Sequence, residues 1–248
     1  VDPRELLDLF AVCAAAQRGA LATIAGPERR ARTDRPGQYR LDLVADAAIL
    51  PVLHAAGLRV LSEESGWTGP EDAPVTVVLD PVDGSTNCAR RIPYWCISLC
   101  ALDADGPLCA LVEHGVTGAR YAAVRGAGAT LDGEPLAASA TTELGRSVVA
   151  VSGLPERRVG WRQFRALGSA ALALCDVAAG NIDAYLDAHA GQHAPWDYLG
   201  GLLVCREAGA TVVDVDGREL ALADPAVRRQ LVAAGTPVLL SALTEAIA

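Results

Sequence analysis

Two aspartates three residues apart close an apolar run in Val77-Val78-Leu79-Asp80-Pro81-Val82-Asp83-Gly84-Ser85-Thr86-Asn87, and a glycine and two hydroxyls follow at once. Pro81 restricts the backbone between the carboxylates, so a strand ending here can aim several oxygens at one point. Gly84 lets the chain approach a ligand closely. A helix starting near Ser85 would turn its first free N–H groups, with the Ser85 and Thr86 hydroxyls, toward an anion beside that point. This is chemistry for holding a hard cation against a phosphate. The same residues also spell a turn, because Asp-Gly is a hairpin signal and Ser, Thr and Asn are common turn and N-cap residues.

Two further acidic segments shift the balance. Arg59-Val60-Leu61-Ser62-Glu63-Glu64 reads as a short strand ending in paired glutamates, which alone would be a solvated loop. Pro195 to Gly209 reads as an amphipathic helix with Trp196 and Asp197 at its start, where Asp197 alone would favour the helix dipole.

Together these motifs resemble the magnesium-dependent, lithium-sensitive inositol monophosphatase family of phosphomonoesterases. The family's Asp-Pro-hydrophobic-Asp-Gly-Ser/Thr-x-Asn signature matches Asp80 to Asn87, and its Trp-Asp-x-x-x-Gly with a later Glu-Ala-Gly matches Trp196 to Gly209. Its Glu-Glu element matches Glu63 and Glu64, and its upstream Asp-Leu-Val-x-x-Asp element resembles Asp42 to Asp46, here one residue shorter. Arg125 to Gly133 is similar to its glycine-rich hairpin. Leu167-Gly168-Ser169-Ala170-Ala171, followed by Asn181 to Tyr185, is similar to its approach to the substrate pocket. The matches run in the family's order from about residue 40 to 210, with comparable spacing. Cys88 stands where an aromatic residue is usual, which predicts looser packing behind the loop. The stretch from Asp183 to Asp197 carries extra residues, including His189 and His193, which read as loop or pocket-rim residues.

The resemblance implies a layered α-β-α-β-α sandwich of the inositol monophosphatase and fructose-1,6-bisphosphatase type, α+β in its first half and α/β in its second. Residues 1–138 would carry most metal ligands, and residues 139–248 the Trp-Asp motif and substrate contacts. Metal ligands would be Glu63, Asp80, Asp83, Asp197 and the Val82 carbonyl, holding about two or three magnesium ions. Glu63 and Ser85 would position the attacking water and relay its proton, with Asp46 orienting Ser85. Asp83, Gly84, Ser85, Thr86, Ser169 and Asp197 would receive the phosphate, and Asp187 a substrate hydroxyl. The implied activity is hydrolysis of a small polyol, cyclitol or sugar phosphate such as inositol 1-phosphate, by direct water attack in a homodimer. Histidinol phosphate, fructose 1,6-bisphosphate, adenosine 3',5'-bisphosphate and a specialised-pathway cyclitol phosphate are the alternatives. A catalytically silent dimeric scaffold is the alternative of a different class.

Composition fits this reading. Oxygen ligands without a His or Cys cluster favour magnesium over zinc. A net charge of −9 argues against nucleic acid as a partner. No run approaches the roughly 18 apolar residues of a membrane span, and the first residues lack a signal-peptide pattern, so a cytoplasmic location is expected. Seven cysteines without a Cys-x-x-Cys pair read as buried reduced thiols.

The elements that must position these residues follow from periodicity. Helices are expected over about 4–24, 43–56, 161–165, 170–179 and from 195 to 208. Strands are expected to end at Glu63 and Leu79, to form a meander over 97–131, and to recur near 147–151, 184–186, 211–213 and 238–240.

Overall fold

A computed structural model describes residues 1–247. The chain opens with α1 (Pro3–Ala22) and α2 (Arg40–Ala55) and enters β1 (Arg59–Ser62), β2 (Gly66–Thr68) and β3 (Thr76–Asp83). It turns through α3 (Ser85–Arg90) into the meander β4 (Cys96–Asp103), β5 (Gly106–His114), β6 (Arg120–Val124), β7 (Gly128–Leu131) and β8 (Glu134–Pro135). Then follow β9 (Val148–Ser152), β10 (Gln163–Arg165), α4 (Ala170–Ala178), β11 (Ala184–Asp187), α5 (Pro195–Glu207), β12 (Thr211–Asp214), β13 (Leu231–Ala234) and α6 (Pro237–Ile247).

The strands make two sheets. One has eight strands in the order β2-β1-β3-β4-β5-β6-β7-β8, and the other five in the order β10-β9-β11-β13-β12. Alternation along β3 sends Val77 and Leu79 into a core shared with Leu6, Phe10, Ile49 and Leu53 of α1 and α2, while Val78 faces the opposite way. That opposite core contains α4 and α5 and one face of the second sheet, including Ala150, Tyr185 and Ala233. The second sheet's other face, through Val149, Leu186 and Val232, packs on Leu239 and Leu243 of α6. The layers are therefore α-β-α-β-α, as the resemblance implies.

Three elements depart from expectation, each because tertiary packing overrides local pattern. The α5 helix is buried on all sides rather than amphipathic, since both sheets and α4 surround it. Gly200 and Gly201 make room for this: an added Cβ would meet Ser98 Oγ at 2.6 Å and Leu174 Cβ at 2.6 Å, respectively. Residues 163–165 form an edge strand paired with β9 instead of a helix. The last strand is Leu231–Ala234, whose wholly buried Leu-Val-Ala-Ala lacks alternation, whereas Val238–Leu240 lies in α6 behind Thr236 and Pro237 at its start. All seven cysteines are buried and unpaired. Cys88 packs with Leu21, Tyr39 and Trp95, and its sulfur and carbonyl accept from Arg29, so the expected looseness is absent. Among the described residues no helix is long and apolar enough to cross a membrane.

Because Gly201 packs directly against α4, Gly201→Val should overpack this layer and cost about 1–3 kcal/mol, lowering Tm by roughly 2–4 °C per kcal/mol. A thermal melt within error of wild type would contradict this packing.

Candidate active site

The parallel strands β1 and β3 end side by side, and the Glu63 N–H continues their pairing by donating to the Leu79 carbonyl at 3.1 Å. Leu61 faces the core between the sheets, so alternation turns Glu63 the same way and Glu64 the other. Glu64 is held instead by Gln38, and Arg35 lies 3.7 Å away.

Asp80 shares the face of Val78, but a residue three further along a regular strand would point to the opposite face. A bulge removes the conflict. Asp80 pairs with Ser98 and Asp83 with Cys96, so β3 carries one more residue than β4 across this step. Proline is tolerated at such an irregularity because the ladder does not need its missing N–H. The Pro81 carbonyl accepts from the Gln17 side chain of α1 at 2.5 Å, and the Val82 N–H donates to Asp80 Oδ1 at 2.9 Å. Gln17 was not anticipated; its signal is a polar residue on the apolar stripe Leu6, Phe10, Ala14 and Leu21.

Asp197 enters from the first turn of α5, where its Oδ2 accepts from the Ala194 N–H at 2.6 Å. Glu63, Asp80 and Asp197 each bring a carboxylate oxygen within 4.8 Å of the others. Burial, then Asp197, Glu64, Asp42 and Asp83, push the Glu63 pKa well up. Asp80 is raised likewise by burial, Glu63, Asp83 and Asp197. An all-oxygen cluster in which Glu63 and Asp80 are each raised by the other carboxylates fits a hard divalent cation, which would relieve the repulsion.

Asp83 borders this cluster and is tied to the second half of the chain. Its Oδ2 accepts from Ser169 Oγ at 2.5 Å and from the Ala171 N–H at 2.7 Å at the start of α4. Burial and then Asp197 raise its pKa to about 6 against these bonds. Gly84 (φ 88°) precedes α3, and a Cβ there would meet the Gly168 carbonyl at 2.9 Å. Asn87 bridges the two loops, donating to the Tyr94 and Leu167 carbonyls, both at 2.7 Å. Ser85 and Thr86 open α3, Ser85 half-buried and Thr86 exposed. Val82 is buried beside them.

Two expected site residues, Asp46 and Asp187, have contacts the sequence did not indicate. The second helix starts at Arg40, so Asp42 and Asp46 both lie on it one turn apart. Both oxygens of Asp46 accept from hydroxyls, Oδ1 from Ser62 at 2.5 Å and Oδ2 from Ser65. Asp42 has the unsatisfied oxygen: Oδ2 accepts from the Tyr39 N–H at 2.8 Å, while buried Oδ1 has no partner. Burial raises its pKa to about 7, opposed by the Tyr39 bond and assisted by Glu64. Asp187 is fully buried against His193 and does not line the cavity beside Asp83 and Asp197. That cavity, about 350 Å³, is walled by Ser169, Gly168, Tyr185 and His193.

Sheet order, layer arrangement and this acidic cluster define a phosphatase-type α/β sandwich. The chain belongs to the inositol monophosphatase family, whose pattern matches residues 16–248. It is 32% identical over 228 residues to the fructose-1,6-bisphosphatase/inositol-1-monophosphatase of Archaeoglobus fulgidus, covering 89% of this chain and 88% of that one. It is 33% identical over 192 residues to an inositol-1-monophosphatase of Synechocystis, covering 71% and 66%. It is 31% identical over 194 residues to the Nus factor SuhB of Escherichia coli, covering 71% of each. Among solved structures, a Pyrococcus horikoshii protein described as similar to inositol-1 monophosphatase superimposes with a TM-score of 0.90 over 100% of both chains at 24% identity. The Anabaena inositol monophosphatase gives 0.79 at 24% identity, covering 98% of this chain and 95% of that one; these two likenesses speak to the fold alone. The chain is a phosphoric monoester hydrolase of the inositol monophosphatase and fructose-1,6-bisphosphatase type.

The raised carboxylates set a pH dependence. Asp83, at about 6 when folded, binds its proton more tightly than the unfolded chain does at about 3.9. Its contribution to stability is therefore full below about pH 4 and is lost as pH rises through about 6. Without divalent cations Tm should fall over this window. Millimolar magnesium should raise Tm more at about pH 7.5 than at about pH 5, and equal increments at both would contradict the cluster's role.

Proposed function

We propose that this chain is a magnesium-dependent hydrolase of small polyol, cyclitol or sugar phosphate monoesters of the inositol 1-phosphate kind. The observation that carries this reading is the convergence of Glu63, Asp80 and Asp197 from β1, β3 and α5 beside a cavity. The names of the Archaeoglobus and Synechocystis relatives favour a sugar or cyclitol ester over a nucleotide. A silent scaffold would have no need to keep these carboxylates together.

Glu63, Asp80, Asp83, Asp197 and the Val82 carbonyl are the groups that would hold magnesium. When bound, it would neutralise phosphate oxygens and lower the pKa of a water. Glu63 and the Ser85 hydroxyl would hold the attacking water, Glu63 by accepting one of its hydrogens and Ser85 by taking its proton as it passes its own to a neighbouring carboxylate. Asp42, whose buried Oδ1 has no partner, is the α2 carboxylate left free to accept from the Ser85 hydroxyl, whereas both oxygens of Asp46 already accept from Ser62 and Ser65. Backbone N–H groups at Gly84 to Thr86, with Ser169, receive the phosphate. The Asp83–Ser169 bond fixes the two halves of the site relative to one another.

Phosphate release from myo-inositol 1-phosphate should require magnesium and stop on exhaustive chelation; release that survives chelation overturns the reading. Asp80→Asn should lower kcat roughly 10³-fold with the circular dichroism unchanged, the scale of several kcal/mol of lost charge stabilisation. Asp42→Asn should cost more kcat than Asp46→Asn, and the reverse order would restore Asp46 to the proton relay.

A further inference from the structure

The segment between β11 and α5 places a histidine in the wall of the cavity beside Asp83 and Asp197. His193 is mostly buried, its side chain 14% exposed, and it lines the cavity that also contains Asp83, Ser169 and Asp197. Its Nε2 is 2.8 Å from the Tyr185 hydroxyl and 3.5 Å from Asp187 Oδ2, and its Nδ1 is 3.7 Å from Asp197 Oδ2. Its backbone is clamped to Arg229 in both directions, His193 N–H to the Arg229 carbonyl at 3.2 Å and Arg229 N–H to the His193 carbonyl at 2.8 Å. The backbone is fixed by these two bonds, and the ring itself is held by the Tyr185 hydroxyl. Asp187, by contrast, is fully buried, and its Oδ2 has no hydrogen-bond partner.

Resting on the phosphatase reading above, we propose that His193 is the specificity-determining residue for the alcohol: it shuts Asp187 away from the cavity and, with Tyr185, recognises hydroxyl groups carried by the ester. The pair suits that task. An imidazole and a phenol in contact offer both a donor and an acceptor to an incoming hydroxyl, whereas a carboxylate offers acceptors alone. An ester held by its phosphate near Asp83 and Ser169 extends along the cavity wall toward Tyr185 and His193, and meets no atom of Asp187. An alcohol without further hydroxyls gains nothing from this wall. A site built to hydrogen-bond a substrate hydroxyl discriminates against analogues that lack it, because the site's polar groups are left unpaired.

The experiment compares myo-inositol 1-phosphate with phenyl phosphate, whose alcohol has no further hydroxyl, in the full chain with magnesium. The ratio of the two esters is read as kcat/KM and, by calorimetry, as Kd, for wild type, His193→Ala and His193→Gln, with thermal melts recorded. In His193→Ala the preference for the inositol ester should fall roughly tenfold or more, the scale of one lost hydrogen bond to a charged or polar partner, mainly through KM. Asp187→Asn should change that preference more in the His193→Ala background than alone, because only there is the carboxylate uncovered. An equal loss for both esters would show that His193 acts through Asp197 or the fold, and overturns the inference, as does an unchanged ratio. If His193→Ala does not fold, the ratio in His193→Gln decides in the same way. A wild-type chain that binds both esters but releases no phosphate would overturn the phosphatase reading, and the Kd ratios would then still decide the role of His193.

Discussion

Mutual repulsion among Glu63, Asp80 and Asp197 is the interaction around which the rest of the molecule is organised. Their oxygens lie within 4.8 Å of one another in a largely buried place, and burial and neighbouring charge push the Glu63 and Asp80 pKa values up. A fold that keeps such a cluster needs a compensating positive charge, and a hard cation with oxygen ligands supplies it. The protein's own backbone helps: Asp197 lies in the first turn of α5, and Asp83 accepts from a backbone N–H at the start of α4, where helix dipoles favour negative charge.

Two local devices deliver those carboxylates. The bulge in β3 turns Asp80 and Asp83 to one face, and Gln17 satisfies the Pro81 carbonyl from across the sheet. The positive-φ glycines Gly84 and Gly168 then let the two site loops approach, with Asn87 donating to the carbonyls on either side. Through Asn87 and the Asp83–Ser169 bond, the ends of the first sheet and the start of α4 hold each other in register. The site lies beyond the carboxyl ends of the parallel strands β1 and β3, the usual place for a ligand in an open α/β arrangement.

Much of this was legible in the order of residues. Short apolar runs at Val60-Leu61 and Val77-Val78-Leu79 marked the strands, and Pro195 with Gly209 bracketed α5. The β6 strand falls where periodicity puts it, at Arg120–Val124. What escaped depended on contacts distant in sequence. No local pattern distinguishes Asp42 from Asp46 when both lie one turn apart on a helix; their surroundings differ through Ser62 and Ser65, which donate to Asp46 from another element. Gln163–Arg165 becomes a strand because β9 offers it an edge. The expectation for Asp187 followed from family spacing, whereas the contact of its carboxylate with His193, which lines the cavity, depends on the loop that follows it.

Crystals soaked in manganese, with diffraction recorded for anomalous signal, test the central claim most directly. An ion should be coordinated by oxygens of Glu63, Asp80 and Asp197 at about 2.1 Å, the distance expected of a small hard dication, and its peak should be lost in Asp80→Asn. An ion bound elsewhere, with this cluster empty at saturating manganese, would contradict it.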